Sequence, residues 1–149
     1  MRSISRDIVG AFIFSNDGYL LLGKSYKGGV YQGSWIVPGG GIEPGETNEQ
    51  ALKREVLEET GIDISAQKIE KMNIDLKGQS QKTLRETGET VLVNMIFHNF
   101  LITMDKSSRD IEASSEDDFT NPTWHRQTEL SDLELSDPTK ETLAKLGLI

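Results

Sequence analysis

Residues 40–62 read Gly40-Gly41-Ile42-Glu43-Pro44-Gly45-Glu46-Thr47-Asn48-Glu49-Gln50-Ala51-Leu52-Lys53-Arg54-Glu55-Val56-Leu57-Glu58-Glu59-Thr60-Gly61-Ile62. Thr47 with Gln50 three residues on has the pattern of a capping box, and Gly61 stands where a left-handed residue closes a helix, so a helix is predicted over 48–60. On that helix Glu55, Glu58 and Glu59 occupy positions i, i+3 and i+4, which share one face within an arc of about 100°. Leu52 and Val56 fall on an adjacent stripe that would pack the helix on a sheet. Like charges at these spacings each cost a helix roughly 0.2–0.5 kcal/mol, and a bound cation reverses that sign. Oxygen ligands without a cysteine or an ordered histidine pair favour a hard ion, Mg²⁺ with Mn²⁺ as the alternative. Such an ion can neutralise and orient a diphosphate and lower the pKa of a bound water. Taken alone, the cluster could equally be a solvated acidic helix face.

Upstream, Trp35-Ile36-Val37 reads as a short strand stopped by Pro38-Gly39-Gly40-Gly41, where the glycines point to a close backbone approach. Residues 7–15 and 19–26 read as a β-hairpin around Asn16-Asp17-Gly18, and Lys27-Gly28-Gly29 opens a loop. Downstream, 66–77 and 89–103 read as strands, the second apolar enough to be central. The polar stretches 78–88 and 105–120 read as loops. Trp124-His125-Arg126 after Pro122 is strand-like. A last helix is expected over 138–146, with Asp137 as N-cap, Pro138 in its first turn and Gly147 beyond its end. Two helices and about six strands give a mixed α/β (α+β) domain, expected to be a single unit over 1–149.

A chain of 149 residues can bury a core of its own, and 36% hydrophobic with 27% charged residues fit a globular protein. A net charge of −8 argues against broad binding to genomic nucleic acid, which needs clustered Lys and Arg. An acidic protein can still hold a small phosphorylated molecule through divalent ions. No apolar run approaches the ~20 residues of a membrane span, and no export signal is visible. The absence of cysteine fits a cytoplasmic location and excludes a thiol nucleophile or thiolate zinc site.

Gly40, five residues, Glu46, seven residues, then Arg54-Glu55-Val56-Leu57-Glu58-Glu59-Thr60-Gly61-Ile62 matches the signature of the Nudix hydrolases at all nine of its fixed positions over 23 residues. The chain resembles that family, more loosely also through Trp35, Pro38-Gly39-Gly40, Trp124, Glu129-Leu130 and the closing helix. The resemblance implies a mixed β-sheet sandwiched between α-helices and metal-dependent cleavage of a nucleoside diphosphate linked to a further group. It also implies that Glu58 and Glu59 are metal ligands, that Glu55 is a ligand or the base that activates water, and that the carbonyl of Gly39 or Gly40 is a further contact. Glu46 and Arg54 would form a bracing ion pair, with Glu46 as a ligand the alternative. One of Glu116, Asp117 and Asp118, from the loop ahead of Trp124, would complete the site or act as base, with Glu89 a weaker candidate.

Lys24 could reach phosphate oxygens, as could Lys82 and Arg85 from a loop, and Trp35 could stack on a nucleobase or pack in the core. His98 and His125 read as structural. Pro38 to Glu43 resembles nucleoside triphosphate and house-cleaning members, so a (d)NTP pyrophosphohydrolase is expected. A nucleotide-sugar or ADP-ribose hydrolase is the alternative, and a nucleotide-sensing module that has lost catalysis is the alternative from another class. Many members dimerise, so a homodimer is open.

Overall fold

A computed structural model describes residues 1–25, 33–74, 76–116 and 119–149. The helix on which the sequence reading turned, α1, covers Asn48–Thr60; Thr47 and Gln50 close the capping box, and Gly61 takes the left-handed conformation at φ 75°. Ala51, Leu52 and Val56 are fully buried on its inner face.

The eight strands are β1 (Ser3–Phe14), β2 (Leu20–Ser25), β3 (Trp35–Ile36), β4 (Gly39–Gly41), β5 (Lys68–Lys71), β6 (Leu76–Thr83), β7 (Thr90–Thr103) and β8 (Phe119–His125). A second helix, α2, covers Asp137–Lys145. β1 and β7 run parallel over twelve paired residues, Ser3 opposite Leu92 through Phe14 opposite Thr103, and among the described residues the other strand-to-strand ladders are antiparallel. This mixed sheet is covered on both faces. On one side Val9, Ala11, Ile13, Phe100 and Ile102 pack against Leu52 and Val56 of α1. On the other Phe12, Leu20 and Leu22 pack against Leu130 and Leu143. Among the described residues no helix is long and apolar enough to cross a membrane.

Three expectations are corrected. The turn at Asn16-Asp17-Gly18 forms, with Gly18 at φ 85° and the Ser15 N–H donating to the Tyr19 carbonyl at 2.9 Å. Yet β1 and β2 pair only at Phe14 and Leu20, because the chain from Trp35 to Gly41 inserts between them. There β3 pairs with β2 and β4 with β1, while the Ala11 N–H donates to the Pro38 carbonyl at 2.8 Å. The strand expected over 66–77 is two strands, β5 and β6, and β6 runs through the first half of the polar stretch 78–88. As an edge strand paired, among the described residues, only with β7, it tolerates Gln79, Gln81 and Lys82 facing water, and its polar side chains pair across the ladder, Gln79 with Asn94 at 2.7 Å. Helix α2 begins one residue early with Ser136 as N-cap, whose hydroxyl pairs with that of Thr139 at 2.7 Å.

Pro122 lies inside β8, opposite a register shift between Leu22 and Lys24 and beside Asn121 at φ 50°. A residue without an N–H is accommodated at such a bulge. The expected loop at Lys27-Gly28-Gly29 lies outside the described residues.

Candidate active site

Strand β4 lies antiparallel to β1, with Gly39 opposite Gly10, Gly40 opposite Val9 and Gly41 opposite Ile8. Successive residues of a strand face opposite sides. At Gly40 a β-carbon would stand 2.6 Å from the Glu55 carboxyl carbon, on the α1 side. At Gly41 it would run into the guanidinium of Arg6, on the face that also carries Ile8. A side chain at Gly39 would collide with the Val9 carbonyl. The absence of side chains thus lets β4 lie against β1 while α1 brings its carboxylates up to the glycine backbone.

Each helix carboxylate has a defined partner. The backbone N–H of Gly39 donates to Glu59 Oε1 at 2.7 Å, and Glu59 is only 8% exposed. Arg54 Nη1 donates to Glu55 Oε1 at 3.0 Å and to Glu58 Oε2 at 3.4 Å. The same guanidinium grips Glu46 through both oxygens, at 2.7 and 2.9 Å, and donates to the Gly41 carbonyl at 3.1 Å. The two-pronged bond from Arg54, helped by the Glu43 N–H, lowers the Glu46 carboxyl to a pKa of about 2. Burial raises the pKa of Glu55, opposed by Arg54 and reinforced by the charges of Glu58 and Glu46.

Glu55, Glu58, Glu59, Gly39, Gly40 and Glu116 line one cavity of about 490 Å³, together with Gly41, Arg6 and Ile8. The sequence thus named six of its nine walls. Among the described residues these acids share a cavity without already meeting at one point as metal ligands. Glu46 and Arg54 stand behind the wall and brace it. Asp117 and Asp118 lie outside the described residues. Glu89 is engaged with Arg2 at 2.9 Å, away from the cavity. Lys24 and Trp35 do not line the cavity; the Lys24 ammonium sits 4.7 Å over the Trp35 ring, which also meets the His125 ring in a T-shaped pair with centroids 4.6 Å apart. Lys82 lies in β6 and Arg85 in the hairpin after it, neither on the cavity wall. His98 pairs with Asp7 at 2.9 Å, and His125 is buried.

Sequence reasoning missed two features. Arg6 reaches the cavity from β1, and its only signal was a basic residue two positions before an inward-facing isoleucine. A second, apolar pocket of about 220 Å³ lies across β4, walled by Val37, Pro38, Met95 and Phe97, and shares Ile8, Gly39 and Gly40 with the acidic cavity.

Comparison with known proteins agrees with this geometry. The chain is 34% identical over 146 residues to the nucleoside triphosphatase NudI of Enterobacter sp. (strain 638), covering 97% of this chain and 98% of that relative. It is 31% identical over 145 residues to NudI of Escherichia fergusonii, again covering 97% and 98%. In fold it resembles the E. coli dihydroneopterin triphosphate pyrophosphohydrolase, with a TM-score of 0.71 at 18% identity over 95% of this chain and 96% of that one. The model of the NUDIX domain matches residues 5–146, and the chain belongs to the Nudix hydrolase family.

Proposed function

We propose that this protein is a Mg²⁺-dependent hydrolase of nucleoside triphosphates, cleaving the phosphoanhydride to release a nucleoside monophosphate and pyrophosphate. The observation that carries the reading is the single cavity in which three helix glutamates face the glycine backbone of β4, with the Arg6 guanidinium at its rim. The name nucleoside triphosphatase, borne by relatives matched over almost their whole length, supports triphosphates over nucleotide sugars or ADP-ribose.

Nudix hydrolases take a divalent metal. The donors here fit a hard ion, since carboxylates and backbone carbonyls supply oxygen alone and the described residues that line the cavity bring no sulfur or imidazole. Glu55, Glu58 and Glu59, with the carbonyl of Gly39 or Gly40, would hold it. When bound, the ion supplies neutralisation of the anhydride oxygens and acidification of water. The chain's own residues do the rest. Arg6 binds the phosphate chain from the β1 side. Arg54 holds Glu55 and Glu58 in place and ties α1 to the loop through Glu46. Glu55, held by Arg54 on the cavity wall, is suited to take the proton of the attacking water as the oxygen forms its bond to phosphorus and the bridging oxygen leaves. Glu116 stands on the same wall as the alternative base.

The test is release of nucleoside monophosphate from a panel of (d)NTPs, nucleotide sugars and ADP-ribose, with and without Mg²⁺, for the natural protein and Glu59→Gln. A glutamine oxygen still accepts the Gly39 N–H, so the fold is kept while the charge is lost. Turnover is expected to need the metal and to fall on the order of 10²–10³-fold in the variant. Unchanged turnover in a folded Glu59→Gln would overturn the site assignment.

A further inference from the structure

Glu116 reaches the acidic cavity from the connection between β7 and β8, and the chain that carries it is pinned at several points. Ile111 and Ala113 pack inward against the core beside α1, while Glu112, Ser114 and Glu116 are exposed. The indole Nε1 of Trp124, on β8, donates to the Ile111 carbonyl at 3.2 Å. The Ser114 N–H donates to the Thr60 carbonyl at 2.8 Å, satisfying one of the last carbonyls of α1, which have no partner inside the helix. Ser114 approaches so closely there that a β-carbon on Gly61 would stand 3.3 Å from its hydroxyl oxygen. Glu116 itself exchanges two backbone hydrogen bonds with Phe119, at 3.0 and 3.1 Å. Phe119 is fully buried, its ring against Gly23 of β2.

We propose that residues 111–116 form a fixed arm that sets the Glu116 carboxylate for the hydrolytic step, and that Trp124 is the positioning residue that holds the arm. The proposal rests on the reading of the protein as a nucleoside triphosphate hydrolase working in the acidic cavity. Connecting segments are ordinarily the mobile part of a fold, and misplacing a working group by about 1 Å costs on the order of 10²-fold in rate. An exposed carboxylate is therefore useful only where its backbone is held. The Ser114 bond ties the arm to Thr60, the residue after Glu59, so Glu116 is located relative to the helix end that carries Glu58 and Glu59. Trp124 supplies the second fixed point. Its ring packs half-buried against the core beside α1, and its N–H fixes the base of the arm at Ile111. A phenyl ring would serve as well for packing alone; the directed N–H is what the arm needs.

The experiment is a double-mutant cycle of Trp124→Phe with Glu116→Gln, read as kcat and KM for the best nucleoside triphosphate substrate. Trp124→Phe should lower kcat by about tenfold with KM held within about twofold. In the Glu116→Gln background it should lower kcat no further, because the carboxylate it serves is gone. Amide hydrogen exchange gives a readout independent of turnover: protection at Ser114 and Glu116 should fall in Trp124→Phe while that of Leu52 and Val56 in α1 is kept. Should Trp124→Phe not fold, Ser114→Pro takes its place in the same cycle, since it removes the N–H bonded to Thr60 at an exposed position. Equal losses of kcat in both backgrounds, unchanged kcat or arm protection in the folded variant, or unchanged kcat in Glu116→Gln would overturn the proposal and leave the hydrolase reading standing. Absence of turnover on all nucleoside triphosphates by the natural protein would overturn both.

Discussion

The substitution Gly40→Ala separates the chemistry of the acidic cavity from the stability of the fold. A β-carbon on Gly40 would lie 2.6 Å from the Glu55 carboxyl carbon and 2.6 and 2.7 Å from its oxygens, whereas ordinary contact begins at 3.4 Å. Going from 2.6 Å to 3.4 Å, the carboxylate must retreat by about 0.8 Å. It is the end of a flexible side chain, so it can do this by rotation, loosening its 3.0 Å bond from Arg54 but leaving the backbone in place. Misplacing a reacting group by about 1 Å costs on the order of 10²-fold in rate. The expectation is thus a fall in kcat near 10²-fold, about 2.7 kcal/mol of barrier, with the thermal midpoint held within about 4 °C. The neighbouring Gly39→Ala is the contrasting control. Its β-carbon meets the Val9 carbonyl, a backbone atom that cannot swing away, so β4 must leave β1 and stability should fall by about 1–3 kcal/mol. Pyrophosphate release at saturating Mg²⁺ measures the first effect and thermal denaturation the second. If Gly40→Ala is folded and keeps kcat within about threefold of the natural protein, the position of the Glu55 carboxylate does not matter to the chemistry.

Arg54→Ala should lower kcat on the order of 10–100-fold by releasing Glu55 and Glu58, and Arg54→Lys should not restore it, because one ammonium cannot make the fork that Arg54 makes with Glu46; steady-state kinetics of both variants checks this. Arg6→Gln should raise KM for the triphosphate by about tenfold, equivalent to about 1.4 kcal/mol, with a smaller fall in kcat; the reverse pattern would remove Arg6 from phosphate binding. Burial holds His125 below its ordinary pKa of 6.5, with Glu129 opposing the shift. As pH falls below 6.5 the unfolded chain takes the proton first, so the His125 contribution to stability is complete above that pH and declines beneath it. Denaturant melts across pH 5–7.5 should show that slope, and His125→Phe should flatten it.

The parts of this protein that were legible in the sequence are those whose structure is set locally. Helix α1 carries its start in Thr47 and Gln50 and its end in Gly61, so its bounds and the facing of its glutamates follow from spacing alone. The Glu46 to Arg54 brace spans eight residues and came with the family motif. Pairing at long range was not legible. The β1–β2 hairpin was overread because nothing near Asn16 announces that residues 35–41 will insert beside β1. β6 was missed because an edge strand with one partner needs no apolar alternation on its outer face. Trp35 left stacking and core packing open, and β3 sets it between Lys24 and His125 against the second core cluster. The apolar pocket had no signal, since Gly10, Val37, Met95 and Asn99 become neighbours only through the parallel register of β1 with β7 and the insertion of β4.

That pocket and the acidic cavity meet along the ridge formed by one strand. The ridge is made of Gly39, Gly40 and Gly41, so the distance from one side to the other is set by backbone pairing with β1 and not by any side chain. The glutamates line the acidic cavity from α1, while Asn99, Met95 and Phe97 line the apolar pocket from β7. Gly39 and Gly40 are backbone that both the cavity and the pocket share. A side chain added to the ridge disturbs Glu55, Arg6 or the β1 backbone according to its position. The glycines are accordingly the part of the site least able to vary.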